Sequence, residues 1–273
     1  MNVSVEDLKY AKNITLPIVN AAYSRFQGKA GDVDGITHLA DITVERADLD
    51  RFAAEEDAAT RKLLYQVFGD NNLFGGLERE DATGTGFVVF RGTQTAADWI
   101  ENARLLAAPF KEVAGAPAVH LGFHRVYQLV RKSLTSQLAS LNFAAGLNRV
   151  IVTGHSLGGA VASLCALDLA SHGVLPNLEC CTFASPRTFY FTASSFVTAV
   201  PKSLRVANSL DIVTRVPPRE LGYVHVHGGL DIAPKFEDFH DLDKTYGPGL
   251  QQIIEQATHS AIAVSNAESV LGL

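Results

Sequence analysis

The residues able to do chemistry concentrate in one short run, Gly154–Ala160 (GHSLGGA), with Ser156 at its centre. A serine hydroxyl is a weak nucleophile until a base takes its proton, and the base needs an acid to fix its tautomer. The run follows the strand-like residues Val150–Thr153 and precedes a stretch rich in Ala and Gly, the context of a strand–turn–helix elbow. Such a turn forces Ser156 into a strained backbone conformation, so Gly154 and Gly158, two positions away on either side, must lack bulk. Gly159, Ala160 and Ala162 let the helix lie close to the sheet. The strain pushes the hydroxyl above the strand ends, where open α/β sheets bind ligands. The start of the helix beneath it favours negative charge. On such an elbow the chain order is Ser, then Asp or Glu, then His, which excludes His38, His120, His124 and His155 as the base.

The elements that must hold this elbow are legible in outline. Helical spacing runs from about Val5 to Tyr23, and Ala47–Val67 is another helix candidate. Gly86–Gly92 (GFVVFRG) is a short apolar run ending at glycine, a buried strand entering a loop. His120–Ala139 reads as a helix, Arg149–Gly154 as a second buried strand, and Gly158–His172 as the helix that follows it. Cys180–Ala184 and Leu204–Ala207 are two further short strands. Strands alternating with helices predict an α/β class with a mostly parallel central sheet covered by helices on both faces. There is no repeat, low-complexity tract or linker, so residues 1–273 are expected to form a single domain.

Composition narrows the function classes. Of 273 residues, 47% are hydrophobic and 19% charged, enough for a large buried core and against global disorder. A net charge of −6 argues against a nucleic-acid partner and against electrostatic capture by an anionic bilayer, while leaving room for brief hydrophobic contact with a lipid surface. The three cysteines, Cys165, Cys180 and Cys181, are odd in number and two are adjacent, which suits small core residues better than a disulfide framework. The first residues lack a basic region followed by an apolar run, so a cytoplasmic location is expected, or secretion if a leader has been removed. No stretch approaches the roughly 20 apolar residues of a spanning helix. His225 and His227 read as strand residues pointing the same way rather than as a metal site, and no metal or cofactor is expected.

Several blocks, in order, resemble the fungal-lipase-like family, the class 3 lipases. Phe90–Thr93 (FRGT) followed by Asp98 and Trp99 is similar to the family's oxyanion strand and the start of its lid. Val119–Phe123 (VHLGF) and the elbow itself follow; then come Phe183–Arg187 (FASPR), Asn208–Asp211 (NSLD), Val216–Pro218 and Gly222–His225. Together they span roughly Gly86 to His240. The resemblance implies an α/β-hydrolase fold with Ser156 as nucleophile and Asp211 as the acid of its triad. It makes the backbone N–H groups of Thr93 and Leu157 the oxyanion donors, with the Thr93 hydroxyl able to add a hydrogen bond. For the base it points to His240, which opens a His-x-Leu…Tyr pattern ending at Tyr246. His259 is the runner-up: its distance from Asp211 suits longer family members, but no Tyr follows it. The family carries a non-catalytic His where His225 falls.

The implied reaction is acyl transfer to Ser156 and hydrolysis of the acyl-enzyme. The resemblance implies a lipase acting on acylglycerols; the alternatives are an esterase acting on short soluble or feruloyl-type esters, or an inactive hydrolase fold used for binding. A short amphipathic lid is expected around residues 95–110, with Trp99 and Ile100 facing the substrate and opening at a lipid–water surface. The expected partners are an acyl-ester or lipid substrate and a transient lipid interface.

Overall fold

The computed structural model describes residues 3–69, 71–93, 106–226, 229–232 and 238–271, with side chains described as far as 259. Helix α1 (Val5–Tyr10) starts at a capping box in which Ser4 and Asp7 satisfy each other's backbone N–H groups. A π-helical turn over Ala11–Thr15 leads from it into α2 (Leu16–Phe26). There follow β1 (Thr37–Thr43), α3 (Arg46–Ala54), α4 (Ala58–Phe68), β2 (Leu73–Glu80), β3 (Thr85–Phe90), β4 (Ala107–Pro109) and β5 (Ala118–His120). Next are α5 (Leu121–Ser140), β6 (Arg149–His155), α6 (Leu157–His172), β7 (Leu178–Phe183), β8 (Phe189–Tyr190), α7 (Ser194–Ala199) and β9 (Ser203–Asn208). The chain closes with β10 (Tyr223–Val224), β11 (Gly229–Ile232) and α8 (Gly247–Leu271).

The main sheet has seven strands in the order β1-β2-β3-β6-β7-β9-β11. From β3 to β11 every pairing is parallel, and β1 and β2 join antiparallel at one edge. Successive side chains of a strand point to opposite faces. Val88 and Phe90 of β3 therefore enter the core beneath α3–α7, while Phe87 and Val89 enter the core beneath α1, α2 and α8. Val150 and Val152 of β6 face the first core and Ile151 the second. Both faces are dry, which is why these strands read as unbroken apolar runs. Helix α6 is buried on every side from Leu157 to Leu169, as an element sandwiched between sheet and neighbouring helices must be. A second sheet, β10-β8-β5-β4, is small and antiparallel.

The predicted helix over Ala47–Val67 is two helices. The first ends at Ala54 with Glu55 as its C-cap, and Asp57 caps the second, its carboxylate accepting from the N–H groups of Ala59 and Thr60 at 2.9 and 3.1 Å. Strands β1 and β2 were not anticipated: β1 lies at the sheet edge and buries only Ile42, so its sequence lacks an apolar run.

Candidate active site

Ser156 stands between the end of β6 and the start of α6 with φ 56° and ψ −129°, a positive φ that a residue with a side chain rarely adopts. The packing around it shows why glycines flank it. A Cβ on Gly154 would stand 2.4 Å from the Gly158 carbonyl oxygen, and one on Gly158 would stand 2.4 Å from the Arg91 oxygen and 2.5 Å from that of Phe90. The elbow is thus pressed against the end of β3, the strand leading to Thr93. Gly92 abuts the nucleophile itself: a Cβ there would lie 2.8 Å from Ser156 Cβ and 2.9 Å from the His155 oxygen. Ser156 is buried and, among the described residues, its Oγ has no hydrogen-bond partner. Leu157 is the first residue of α6, at the positive end of its dipole.

Asp211 lies in the turn after β9 and is almost fully buried. Its Oδ1 accepts the Val213 N–H at 2.9 Å, capping a short 3₁₀ turn. Its Oδ2 accepts from His240 Nδ1 at 2.7 Å and from the Tyr246 hydroxyl at 2.8 Å. A carboxylate facing Nδ1 fixes the proton there and leaves His240 Nε2 able to take one. The Tyr246 phenol is held well above its ordinary range by burial and by the Asp211 charge, so it stays a donor. The Tyr246 oxygen also accepts the Asn208 N–H at 3.2 Å, and Asn208 Nδ2 donates to the Phe239 carbonyl at 3.0 Å. Asn208 therefore ties the loop carrying Asp211 to the loop carrying His240.

A second network joins His240 to the elbow. His155 Nε2 lies 2.9 Å from the His240 carbonyl oxygen, which can only accept, so that nitrogen carries the proton. His155 Nδ1 then accepts from the Tyr23 hydroxyl at 2.9 Å, and the Tyr23 oxygen accepts the Gly92 N–H at 2.8 Å. Burial, with a smaller contribution from the His240 charge, pushes His155 well below the ordinary histidine range and keeps it neutral. Its ring packs on that of His240 with centroids 4.5 Å apart. Buried Arg91 steadies the same segment from behind, donating to the carbonyls of Leu73, Val67 and Gly92 with its guanidinium 3.6 Å from the Phe26 ring centroid.

The structure thus brings Asp211 and His240 together next to the residue that precedes Ser156, without a hydrogen bond from Ser156 Oγ to the imidazole. Catalytic hydrogen bonds of this kind often tighten only when substrate is bound. His259 is elsewhere, exposed on α8 with Nδ1 against the Glu255 carbonyl. His225 donates from Nε2 to the Thr214 carbonyl, and burial pushes it down to about 3. Thr93 is half-buried beside Gly92. Trp99, Ile100, Asp98 and His227 lie outside the described residues. Of the stretch expected as a lid, 106–110 is described: β4 pairs with β5, Leu106 is exposed and Phe110 is buried. Tyr23 and the partner role of His155 escaped the sequence reading; no local spacing signals a contact between residues 132 apart.

Eight large hydrophobic side chains are exposed among the described residues. Six of them, Leu106, Phe191, Leu210, Ile212, Leu221 and Phe239, lie in connections that follow the parallel strands.

A strained serine on a strand–turn–helix elbow above a mostly parallel sheet, with a buried carboxylate–imidazole pair beside it, defines an α/β-hydrolase fold. The sequence pattern of the class 3 lipases matches residues 87–221, and over that span the chain is similar to that family. It is 33% identical over 177 residues to a lipase of Rhizomucor miehei, covering 63% of this chain and 48% of that one. To the secreted mono- and diacylglycerol lipase A of Penicillium cyclopium it is 32% identical over 174 residues, covering 63% of this chain and 56% of that one. The chain thus spans about half the length of these curated relatives. The solved structure of the Rhizomucor miehei triacylglyceride lipase superposes with a TM-score of 0.63 at 25% identity, covering 84% of this chain and 79% of that one. A triacylglycerol lipase described as having a serine protease triad superposes at 0.65 with 24% identity, covering 85% and 82%. Among the described residues no helix is long and apolar enough to cross a membrane.

Proposed function

We propose that the protein is a serine carboxylic-ester hydrolase acting on acylglycerols, with Ser156, His240 and Asp211 as its triad. The observation that carries this reading is the 2.7 Å contact between Asp211 and His240 Nδ1, on a loop fastened by hydrogen bond to the residue preceding a strained serine. His240 Nε2 takes the Ser156 proton as Oγ attacks the ester carbonyl carbon. The oxyanion forms between the N–H groups of Thr93 and Leu157, donors whose individual loss in comparable sites costs roughly 10²–10³ in kcat. Collapse breaks the ester bond, and His240 returns its proton to the leaving alcohol. Water then attacks the acyl-enzyme with His240 again as base, releasing the carboxylic acid and restoring Ser156. Asp211 holds the imidazole and stabilises its protonated form, while Tyr246 and Val213 satisfy the carboxylate.

The six exposed apolar side chains in the connections that follow the parallel strands suit transient contact with a lipid–water surface. The test has two parts. A fluorophosphonate probe labels the protein, and Ser156→Ala abolishes the labelling. Nitrophenyl esters of increasing chain length, with and without emulsion, then separate a lipase, whose turnover rises with emulsion, from an esterase confined to short soluble esters. Absence of labelling refutes the hydrolase reading.

A further inference from the structure

A cleft of about 370 Å³ opens at the other end of the strands, where α1 and the π-turn lie over the first residues of β6, β7 and β9. Arg149 and Ser156 mark the two ends of β6 and its turn, roughly 20 Å apart at ~3.3 Å per residue, so the cleft is separate from the candidate active site. Its volume lies within the range of small-ligand sites, ~300–1,000 Å³. The interior is apolar, with Ala11, Ile151 and Cys181 buried and Leu204 half-buried along its wall.

The rim is charged yet neutral overall. Lys202 Nζ stands 3.0 Å from Glu179 and 3.6 Å from Asp7, and Arg149 stands 3.7 Å from Glu179. Arg149 also rests over the Tyr10 ring, 4.4 Å from its centroid, and the Tyr10 hydroxyl is engaged by Glu80. Two cations and two carboxylates thus present donors and acceptors side by side around an apolar hollow. A free carboxylate placed there would meet Glu179 and Asp7 as well as the cations. A head bearing hydroxyls suits both, accepting from Lys202 and Arg149 and donating to Glu179 and Asp7.

We propose that this cleft binds a single-chain amphiphile with an uncharged, hydroxyl-bearing head, the chemistry of a monoacylglycerol. The idea rests on the proposed function only for the source of the ligand, because hydrolysis of one ester bond of a diacylglycerol releases monoacylglycerol beside the protein.

The experiment uses 1-O-dodecylglycerol, whose ether bond the protein cannot hydrolyse, titrated calorimetrically below its micelle concentration. The full chain is first labelled at Ser156 with a long-chain alkyl phosphonate, so that the hydrolytic site is filled. Leu204→Trp adds bulk to the cleft wall, and Lys202→Glu makes the rim acidic at an exposed position. The expected result is saturable binding of one ligand by the labelled protein, weakened at least tenfold in Leu204→Trp, with dodecanoate binding at least tenfold more weakly than the glycerol ether. Lys202→Glu should weaken the ether severalfold and dodecanoate further. Thermal melting and short-ester turnover of both variants should match the parent. No saturable binding, equal binding in parent and Leu204→Trp, or tighter binding of dodecanoate overturns the proposal. A protein that fails to label refutes the hydrolase reading alone, since the difference between parent and Leu204→Trp can still be measured without label.

Discussion

Gly92→Ala probes the contact between the oxyanion segment and the elbow without replacing a reacting group. A methyl at Gly92 would stand 2.5 Å from the Tyr23 hydroxyl, 2.8 Å from Ser156 Cβ and 2.9 Å from the His155 carbonyl oxygen. Carbon atoms attract best at about 3.5–4.0 Å, so all three contacts are repulsive and one is to backbone. The Tyr23 side chain can retreat, at the expense of its bonds to Gly92 N–H and His155 Nδ1. The elbow cannot, because Gly154 and Gly158 already pack it against β3. The remaining outlet is movement of the 91–93 segment away from Ser156, which carries the Thr93 N–H off the developing oxyanion. Overpacking of this kind costs about 1–3 kcal/mol in stability. Displacing one oxyanion donor costs about 2.7–4 kcal/mol in the barrier, on the order of 10²–10³ in kcat. The assay is steady-state turnover of a soluble nitrophenyl ester alongside thermal melting. The expected signature is a kcat loss of roughly 10²-fold with KM little changed, because the donor acts on the transition state. A variant that melts with the parent and keeps kcat within about threefold refutes the packing argument and the oxyanion role of Thr93 together.

Three other perturbations bear on the same site. His240→Ala should lower kcat by about 10³ or more while His259→Ala leaves it unchanged; the reverse pattern in the same ester assay would reassign the base. Tyr246→Phe removes a donor to a buried carboxylate and leaves the Asn208 N–H without its acceptor, so urea unfolding should register a loss of about 2 kcal/mol, and an unchanged midpoint would deny the bond any structural weight. His225, His155 and His124 all sit below the ordinary histidine value of 6.5, His225 at about 3, each mainly through burial. In the folded state they stay neutral while the unfolded chain takes up protons below pH 6.5, so their contribution to stability falls as pH drops from there toward about 3. Melting temperatures across this interval should decline, less steeply for His225→Gln, and a parent whose melting is flat over it would contradict the burial of these rings.

What was legible in the sequence was what lies within one stretch of chain. The elbow announces itself because strand, strained serine and helix are contiguous, and the parallel strands because Val88–Phe90 and Val150–Val152 are dry on both faces. Edge strand β1 is mostly wet and carries no such mark. Asp57 inside an apparently continuous helical pattern was a cap signal that periodicity alone passed over. At the site, the chain-order argument set His155 aside as a base without revealing its work. Its partners are Tyr23 on α2 and the carbonyl of His240, 132 and 85 residues away, and only the folded topology brings them together.

The chain of contacts from Gly92 through Tyr23 and His155 to His240 bears on how far this protein can be shortened. A fragment cut to the family-matched span, 87–221, would retain the serine and the aspartate but lose the Tyr23 phenol within that chain of contacts and His240 at its end. Helix α2, some 130 residues upstream of Ser156, is through this contact tied to the elbow, and N-terminal trimming past Tyr23 should lower ester turnover even where the sheet survives.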